Sequence, residues 1–454
     1  MDFKAVEHHL LHDPVPKLLR QLAIPAAVGF FFNTMYNVVD TWVAGQLSAE
    51  ALAALSLTFP VFFVIIALST GIGTGVTAVI SNQLGADQVE KAKRYATQAL
   101  SYGLFISVII TIAGYTLAPT LFRILGASDS YLDSALTYMQ PLFLGAVFFS
   151  MSSILNGILN AIGDTKAFRN VLIAGFFLNL LISPWLAFGW LGVPALGIFG
   201  IALATIITNA LGAAYLLRRV WQSELLEAGS IRSRMKPELT PFKDITVQGL
   251  PASFSMMTVA VGAFIITYFV SQYGPDAVAG YGAALRVEQI VLIPGIGINI
   301  AVLTLIGQNN GAKLFDRVRE VIRYGLLYSV MIGTVASLLI FTAAPYLMQI
   351  FTDNETVTEF GLGYLFIAAL LTWAYGIVFV TDSALRGLKR PLFPLLLGII
   401  RQVVLPIPVF YFIVTYSSLA ITTLWWGIFA IVWSAAIIAL LYMYYLLHKE
   451  CTTH

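Results

Sequence analysis

The chain has 454 residues, of which 59% are hydrophobic and only 11% charged, with a mean hydropathy of +0.85. Soluble domains average roughly 45–50% apolar and about 25% charged residues, so the solvent for most of this surface must be a bilayer rather than water. The net charge of +2, with no basic run interleaved with aromatics, gives no sign of a nucleic-acid partner, and the single cysteine, Cys451, rules out a disulfide framework.

Residues 1–17 read as a polar to amphipathic lead on the cytoplasmic membrane surface. They lack the basic and then apolar layout of a cleavable signal. Crossing the hydrocarbon core takes about 20 apolar residues. Segments of that kind fall near 18–46, 52–84, 95–118, 131–159, 167–189, 194–217, 242–273, 276–310, 322–344, 357–385, 391–415 and 420–447. This predicts an all-α membrane protein with twelve spans. An N-lobe (18–217) and a C-lobe (242–447) are separated by a polar linker (218–241), and a short tail (448–454) follows.

Lysine and arginine favour the cytoplasmic side. Of the 25 present, 22 fall in, or within three residues of, the lead, the linker, the tail and the loops after spans 2, 4, 8 and 10. The six opposite loops hold Arg123 alone, beside Glu50, Asp129, Asp276, Asp353 and Glu355. Both termini are therefore expected in the cytoplasm.

The two halves repeat at an offset of 226 residues. Pro25 falls on Pro251, Gly71-Ile72 on Gly297-Ile298, Gly85-Ala86 on Gly311-Ala312, and Pro119 on Pro345. Six spans per half make the repeat parallel in topology, with its pseudo-two-fold axis along the membrane normal. Two such lobes suit alternating access better than catalysis.

Charges inside spans are costly and mark function by default. Asp40 lies about 22 residues into span 1, with Tyr36 one turn before it and Asn33 and Asn37 extending a polar stripe. No basic residue lies in the interiors of the first six spans to pair with it; Arg20 and Arg169 stand at cytoplasmic span ends. An acid without a counter-ion in an apolar span is a candidate to bind a proton or a cation. Asn179 and Ser183, four apart on span 5, and Thr205 on span 6 could complete an oxygen-lined pocket. In the second half, Arg286 and Glu288 lie on span 8, Asp382 on span 10 and Arg401 on span 11. The plainest expectation there is an intramembrane ion pair between Glu288 and Arg401, and an i,i+4 pair between Asp382 and Arg386.

All five histidines (His8, His9, His12, His448, His454) lie in the tails, so no metal site or histidine relay is expected within the membrane. No phosphate-binding loop, nucleophile elbow or paired catalytic carboxylates occur, so neither an ATP-driven pump nor an enzyme is expected. No cofactor is expected either.

At these residues the chain resembles the multidrug and toxic compound extrusion (MATE) transporters, over essentially its full length. The resemblance is carried by Pro25 and Asp40 in span 1, by Gly71-Ile-Gly-Thr-Gly through Gln83-Leu-Gly-Ala86, and by Asn160-Ala-Ile-Gly-Asp-Thr-Lys166. The run from Asn179 through Ser183-Pro184 to Thr205 matches in part. The resemblance implies the two-lobed fold of the wider superfamily and export of cationic or amphipathic compounds in exchange for H⁺ or Na⁺. In the DinF-like branch the coupling carboxylate sits where Asp40 stands, and Pro25 matches the proline at which span 1 bends. Ser183 replaces an aspartate found in many members, which favours H⁺ over Na⁺; span 7 lacks an embedded acid, which favours coupling through the N-lobe over the C-lobe, with Asp382 keeping the C-lobe open. The implied setting is the inner membrane, with the protein acting as a monomer. A lipid-linked oligosaccharide flippase of the same superfamily is the alternative, for which only Arg286 and Arg401 could meet a pyrophosphate.

Overall fold

A computed structural model describes residues 9–127, 129–190, 192–226, 235–416 and 420–452. His8, His454 and the middle of the linker, with Arg232 and Arg234, lie outside them, as do the side chains of Asp129 and Cys451. The described residues are almost wholly helical. Eleven helices are long and apolar enough to cross a membrane, and one bent pair makes a twelfth span.

The helices in chain order are α1 (Val15–Leu47), α2 (Ala49–Gly85), α3 (Val89–Ile124), α4 (Asp129–Leu144), α5 (Ala146–Ala161), α6 (Thr165–Phe188) and α7 (Gly197–Trp221). Then come α8 (Leu239–Val270), α9 (Pro275–Gly311), α10 (Phe315–Gln349), α11 (Glu355–Gly387), α12 (Leu392–Ile399), α13 (Pro406–Tyr416) and α14 (Ile421–Thr452). The part of the linker sequence at 218–221 continues α7, and α8 begins at Leu239.

Two spans are broken where proline and glycine dictate. Helices α4 and α5 meet at 48° around Gly145. Pro141 has no N–H to return to the preceding turn. Carbonyls at the break are met by hydroxyls of α3: Thr111 Oγ1 donates to Phe143 O (2.7 Å) and Tyr115 Oη to Gln140 O (3.1 Å). A break within the membrane is tolerated when side chains re-satisfy the backbone in this way. Helices α12 and α13 are joined by a π-turn over Ile400–Val404, where the Leu405 N–H reaches back to Ile400 O (2.9 Å). Pro406 and Pro408 follow, and the wider turn absorbs the donors they lack.

The chain divides into two compact units, Met1–His12 with Val28–Ser253, and Asp13–Ala27 with Phe254–His454. The lobes drawn from the helix count at 18–217 and 242–447 therefore differ from the units. The opening stretch of α1 belongs with the second half, and the opening stretch of α8 with the first. Both changes fall two residues after a proline, Pro25 or Pro251, and they stand at equivalent places in the repeat.

Glycine makes the exchange sterically possible. In the first unit, α8 lies so close to α2 that a Cβ on Gly71 would collide with the backbone of Ser253. Ser253 Oγ there donates to Leu68 O (3.2 Å). In the second unit, a Cβ on Gly297 would strike the carbonyl of Ala23. Gly71 and Gly297 are the pair that the repeat aligns, so one device serves twice.

Polar contacts hold the ends of these crossing stretches. In the first unit, Gln98 Nε2 donates to Lys236 O (2.8 Å), Ser101 Oγ to Met235 O (2.8 Å), and Tyr102 and Thr246 share a hydroxyl contact of 2.8 Å. Arg94 pairs with Glu238, and Tyr95 donates to Asp244. In the second unit, the Arg317 guanidinium donates to Asp13 O (2.9 Å) and to Asn309 Oδ1 (3.0 Å).

Candidate functional site

Tyr36 and Asp40 are one turn apart on α1 and point into the first unit, whereas Asn33, Asn37 and Thr41 share a more exposed face. Along that second face Asn37 Nδ2 donates to Asn33 O (3.1 Å) and Thr41 Oγ1 to Asn37 O (2.9 Å). The polar stripe of span 1 thus divides in two, and Asn37 takes no part in the pocket around Asp40. Pro25 is buried earlier in the same helix, which runs on through it.

Asp40 is 7% exposed. Its Oδ1 accepts from Asn179 Nδ2 (2.7 Å) and from Ser183 Oγ (3.4 Å), and its Oδ2 from Thr205 Oγ1 (3.2 Å). Asn179 and Ser183 sit one turn apart on α6, and Thr205 on α7, with all three side chains buried. Among the described residues no Lys, Arg or His comes within ion-pair distance of Asp40.

Thr208 and Tyr138, which sequence reasoning missed, complete the pocket together with Tyr36, which it named. The Tyr36 hydroxyl is buried beside the hydroxyls of Thr205 and Thr208 with no well-formed hydrogen bond. Tyr138, brought in by α4, lies near both Asp40 and Tyr36. Thr208 is three residues beyond Thr205 on a glycine- and alanine-rich helix, which was a usable signal; Tyr138 offered none.

The second unit departs from the ion pairs that spacing suggested. Glu288 is 5% exposed, yet its partner is Tyr364, whose hydroxyl donates to Oε2 at 2.8 Å. Its Oε1 is buried and unpartnered. Arg401 instead lies over the ring of Tyr375, 5.9 Å from its centroid. A bend at the π-turn sets the direction of Arg401, which a straight helix would not have foretold. Asp382 and Arg386 do not reach ion-pair distance either; Asp382 Oδ1 and Arg386 Nε are both covered and unpartnered. Arg286 is exposed and joins none of them. No cluster of His, Cys, Asp and Glu suited to a metal ion occurs among the described residues.

A many-helix membrane protein built as two related halves, with a buried acid held by neutral donors and no constellation for covalent chemistry, has the character of a transporter rather than an enzyme. The MatE family model matches the chain twice, over residues 25–185 and 251–412, so each match begins at one of the two aligned prolines. The chain belongs to this family of multidrug and toxic compound extrusion transporters and is a multi-pass membrane protein.

It is 26% identical over 434 residues to Probable multidrug resistance protein NorM of Thermotoga maritima, covering 95% of this chain and 93% of that one. It is 27% identical over 406 residues to the FAD transporter of Shewanella oneidensis, covering 88% of each. Among solved structures, it matches a transporter of the MOP superfamily from Pyrococcus furiosus with a TM-score of 0.90 at 25% identity, over 97% of this chain and 98% of that one.

Proposed function

We propose that this protein is a secondary active multidrug efflux transporter that exports cationic and amphipathic compounds in exchange for H⁺, with Na⁺ as the less favoured ion. Coupling runs through Asp40. The observation that carries this reading is a buried carboxylate whose partners are an amide and two hydroxyls, with no cation to hold it permanently charged.

The geometry suits a group that alternates between two states. Ionised, Asp40 accepts all three hydrogen bonds and offers its charge to a cationic substrate. A proton on Oδ2 makes that oxygen a donor, so the Thr205 hydroxyl must turn from donor to acceptor. Its own hydrogen is then free for a new partner, and the Tyr36 oxygen stands ready on the adjoining turn. Protonation therefore both cancels the charge that holds a cation and rearranges the contacts joining α1, α6 and α7. A bend of α1 at Pro25 is the larger movement this would bias. One charge moving down 100 mV supplies about 2.3 kcal/mol, enough for a gradient of tens-fold.

The asymmetry of Lys and Arg supports both termini on the cytoplasmic side of the inner membrane. The site is complete within one chain, in keeping with a monomer, and it resembles the DinF-like branch in placing the acid in the first half. A lipid-linked oligosaccharide flippase would call for several inward cations; the pocket around Asp40 has none among the described residues.

The test is transport of a fluorescent cation in proteoliposomes, under a pH gradient and separately under a Na⁺ gradient, for wild type and Asp40→Asn. A response to pH that the variant lacks supports the reading. Equal transport by the variant, or transport by the wild type without any ion gradient, refutes it. FAD belongs in the same assay, given the relative named for it.

A further inference from the structure

We propose that Arg401 anchors the acidic group, a carboxylate or phosphate, of amphipathic substrates inside the second unit. The proposal rests on the chain being a transporter but not on coupling at Asp40.

Arg401 is 8% exposed and has no ion pair or hydrogen bond among the described residues. Its one recorded partner is the face of Tyr375. A buried arginine normally spends its five donors on carboxylates or carbonyls, because an unpaired buried charge costs several kcal/mol. Both acids in reach fail to claim it. Glu288 is engaged by Tyr364, and Asp382 feels Arg386 and Arg401 without touching either. Two guanidinium groups, Arg386 and Arg401, and two acids, Glu288 and Asp382, thus share the region with no direct ion pair among the described residues. None of the Arg401 nitrogens is among the sealed, unpartnered atoms, so the fork remains approachable.

The surroundings fit the rest of an amphipathic molecule. Tyr375 and Phe379, one turn apart on α11, are stacked with centroids 6.2 Å apart and present an aromatic wall beside the guanidinium. Arg401 stands about ten residues into a span of 24, near mid-membrane. A lipid headgroup would lie nearer the surface, whereas a transported molecule must pass this depth. The planar fork can take a carboxylate or phosphate through two parallel hydrogen bonds, which a lysine could not reproduce. Placement on a π-turn is a further mark of a site, since such turns cost regularity and recur where a side chain must be aimed.

The experiment compares rhodamine B, which carries a free carboxylate, with its ethyl ester, which does not. Binding to the full chain is read by fluorescence polarisation in nanodiscs of zwitterionic lipid, with no ion gradient. Wild type should bind the acid about 10-fold more tightly than the ester. Arg401→Gln should abolish that preference by weakening the acid alone, and Arg401→Lys should keep part of it. Asp40→Asn should weaken the ester and leave a preference for the acid, which separates this site from the coupling site. Equal binding of acid and ester by wild type, no binding of the acid, or a loss that falls on both probes alike overturns the proposal. Should the Gln variant fail to fold, an unchanged preference in Arg401→Lys overturns it as well. Displacement of the acid by added anionic lipid would reassign Arg401 to lipid and end the substrate reading.

Discussion

Asn179 Nδ2 lies 2.7 Å from Asp40 Oδ1, the shortest of three contacts that bind α6 and α7 to the buried acid of the first unit. Ser183, one turn further along α6, reaches the same oxygen at 3.4 Å. Two neighbouring side chains thus share one carboxylate oxygen, and the longer contact has room for change. A hard cation prefers oxygen ligands and more than one anion. Ser183→Asp would supply the second anion beside Asn179 and Thr205. This variant should acquire Na⁺-dependent binding of the fluorescent cation, with apparent Na⁺ affinity raised about 10-fold or more. Titrating Na⁺ against tryptophan fluorescence checks it; a folded variant indifferent to Na⁺ would show that charge number does not select the ion here.

Thr205 carries the donor-to-acceptor reversal described above, so its hydroxyl should matter more than its volume. Thr205→Val keeps the shape and leaves Asp40 Oδ2 without a partner, at a cost of about 1–3 kcal/mol. Transport driven by a pH gradient should fall about 10-fold or more, while Thr205→Ser should retain most of it. Initial rates in proteoliposomes distinguish the two. If valine serves as well as serine, the hydroxyl is a packing contact and plays no part in coupling.

How much of this could be read from the sequence depends on the kind of signal. Asp40, Asn179, Ser183 and Thr205 stand out because polar atoms are rare in apolar helices, and an i,i+4 spacing puts Asn179 and Ser183 on one face. Which neighbours they meet is another matter. Tyr138 arrives through the bend at Gly145, and nothing in its local sequence reveals that. Asn37 looks like part of the stripe, yet three residues before Asp40 the helix already presents a different face. Charge spacing was the weakest guide in the second half: it paired Glu288 with Arg401, whereas a tyrosine hydroxyl takes the acid and an aromatic face the cation. The 226-residue repeat was legible from prolines and glycines, but the exchange of helix openings between units needs the three-dimensional contact of Gly71 with Ser253 and of Gly297 with Ala23.

Those glycine contacts should be equally demanding in both halves. Gly71→Ala and Gly297→Ala each drive a Cβ into a neighbouring backbone that cannot swing aside. Each should destabilise the protein by about 1–3 kcal/mol. Gly282, also within α9, has nothing within 4 Å of its would-be Cβ. Gly282→Ala should therefore be neutral or stabilising by up to about 1 kcal/mol, from helix propensity alone. Thermal unfolding in detergent ranks the three. A Gly71→Ala variant as stable as Gly282→Ala would mean that α8 sits against α2 more loosely than described.

Glu288 offers a sharper test, because two pairings make opposite predictions about additivity. Tyr364 donates to its Oε2, so Tyr364→Phe removes the one donor it has among the described residues and leaves a buried acid with neither oxygen satisfied, at a cost of about 1–3 kcal/mol. With Glu288 already replaced by Gln, the same tyrosine change should cost less, because no charge remains to be stranded. The double-mutant cycle for Glu288→Gln and Tyr364→Phe should therefore show a coupling of about 1 kcal/mol or more. The cycle for Glu288→Gln and Arg401→Gln should close to within about 0.5 kcal/mol, since no direct contact joins those side chains. A large coupling in the second cycle would restore the ion pair between α9 and the π-turn. It would also remove the free guanidinium on which recognition of an acidic substrate depends, so the stability measurement bears directly on the binding experiment.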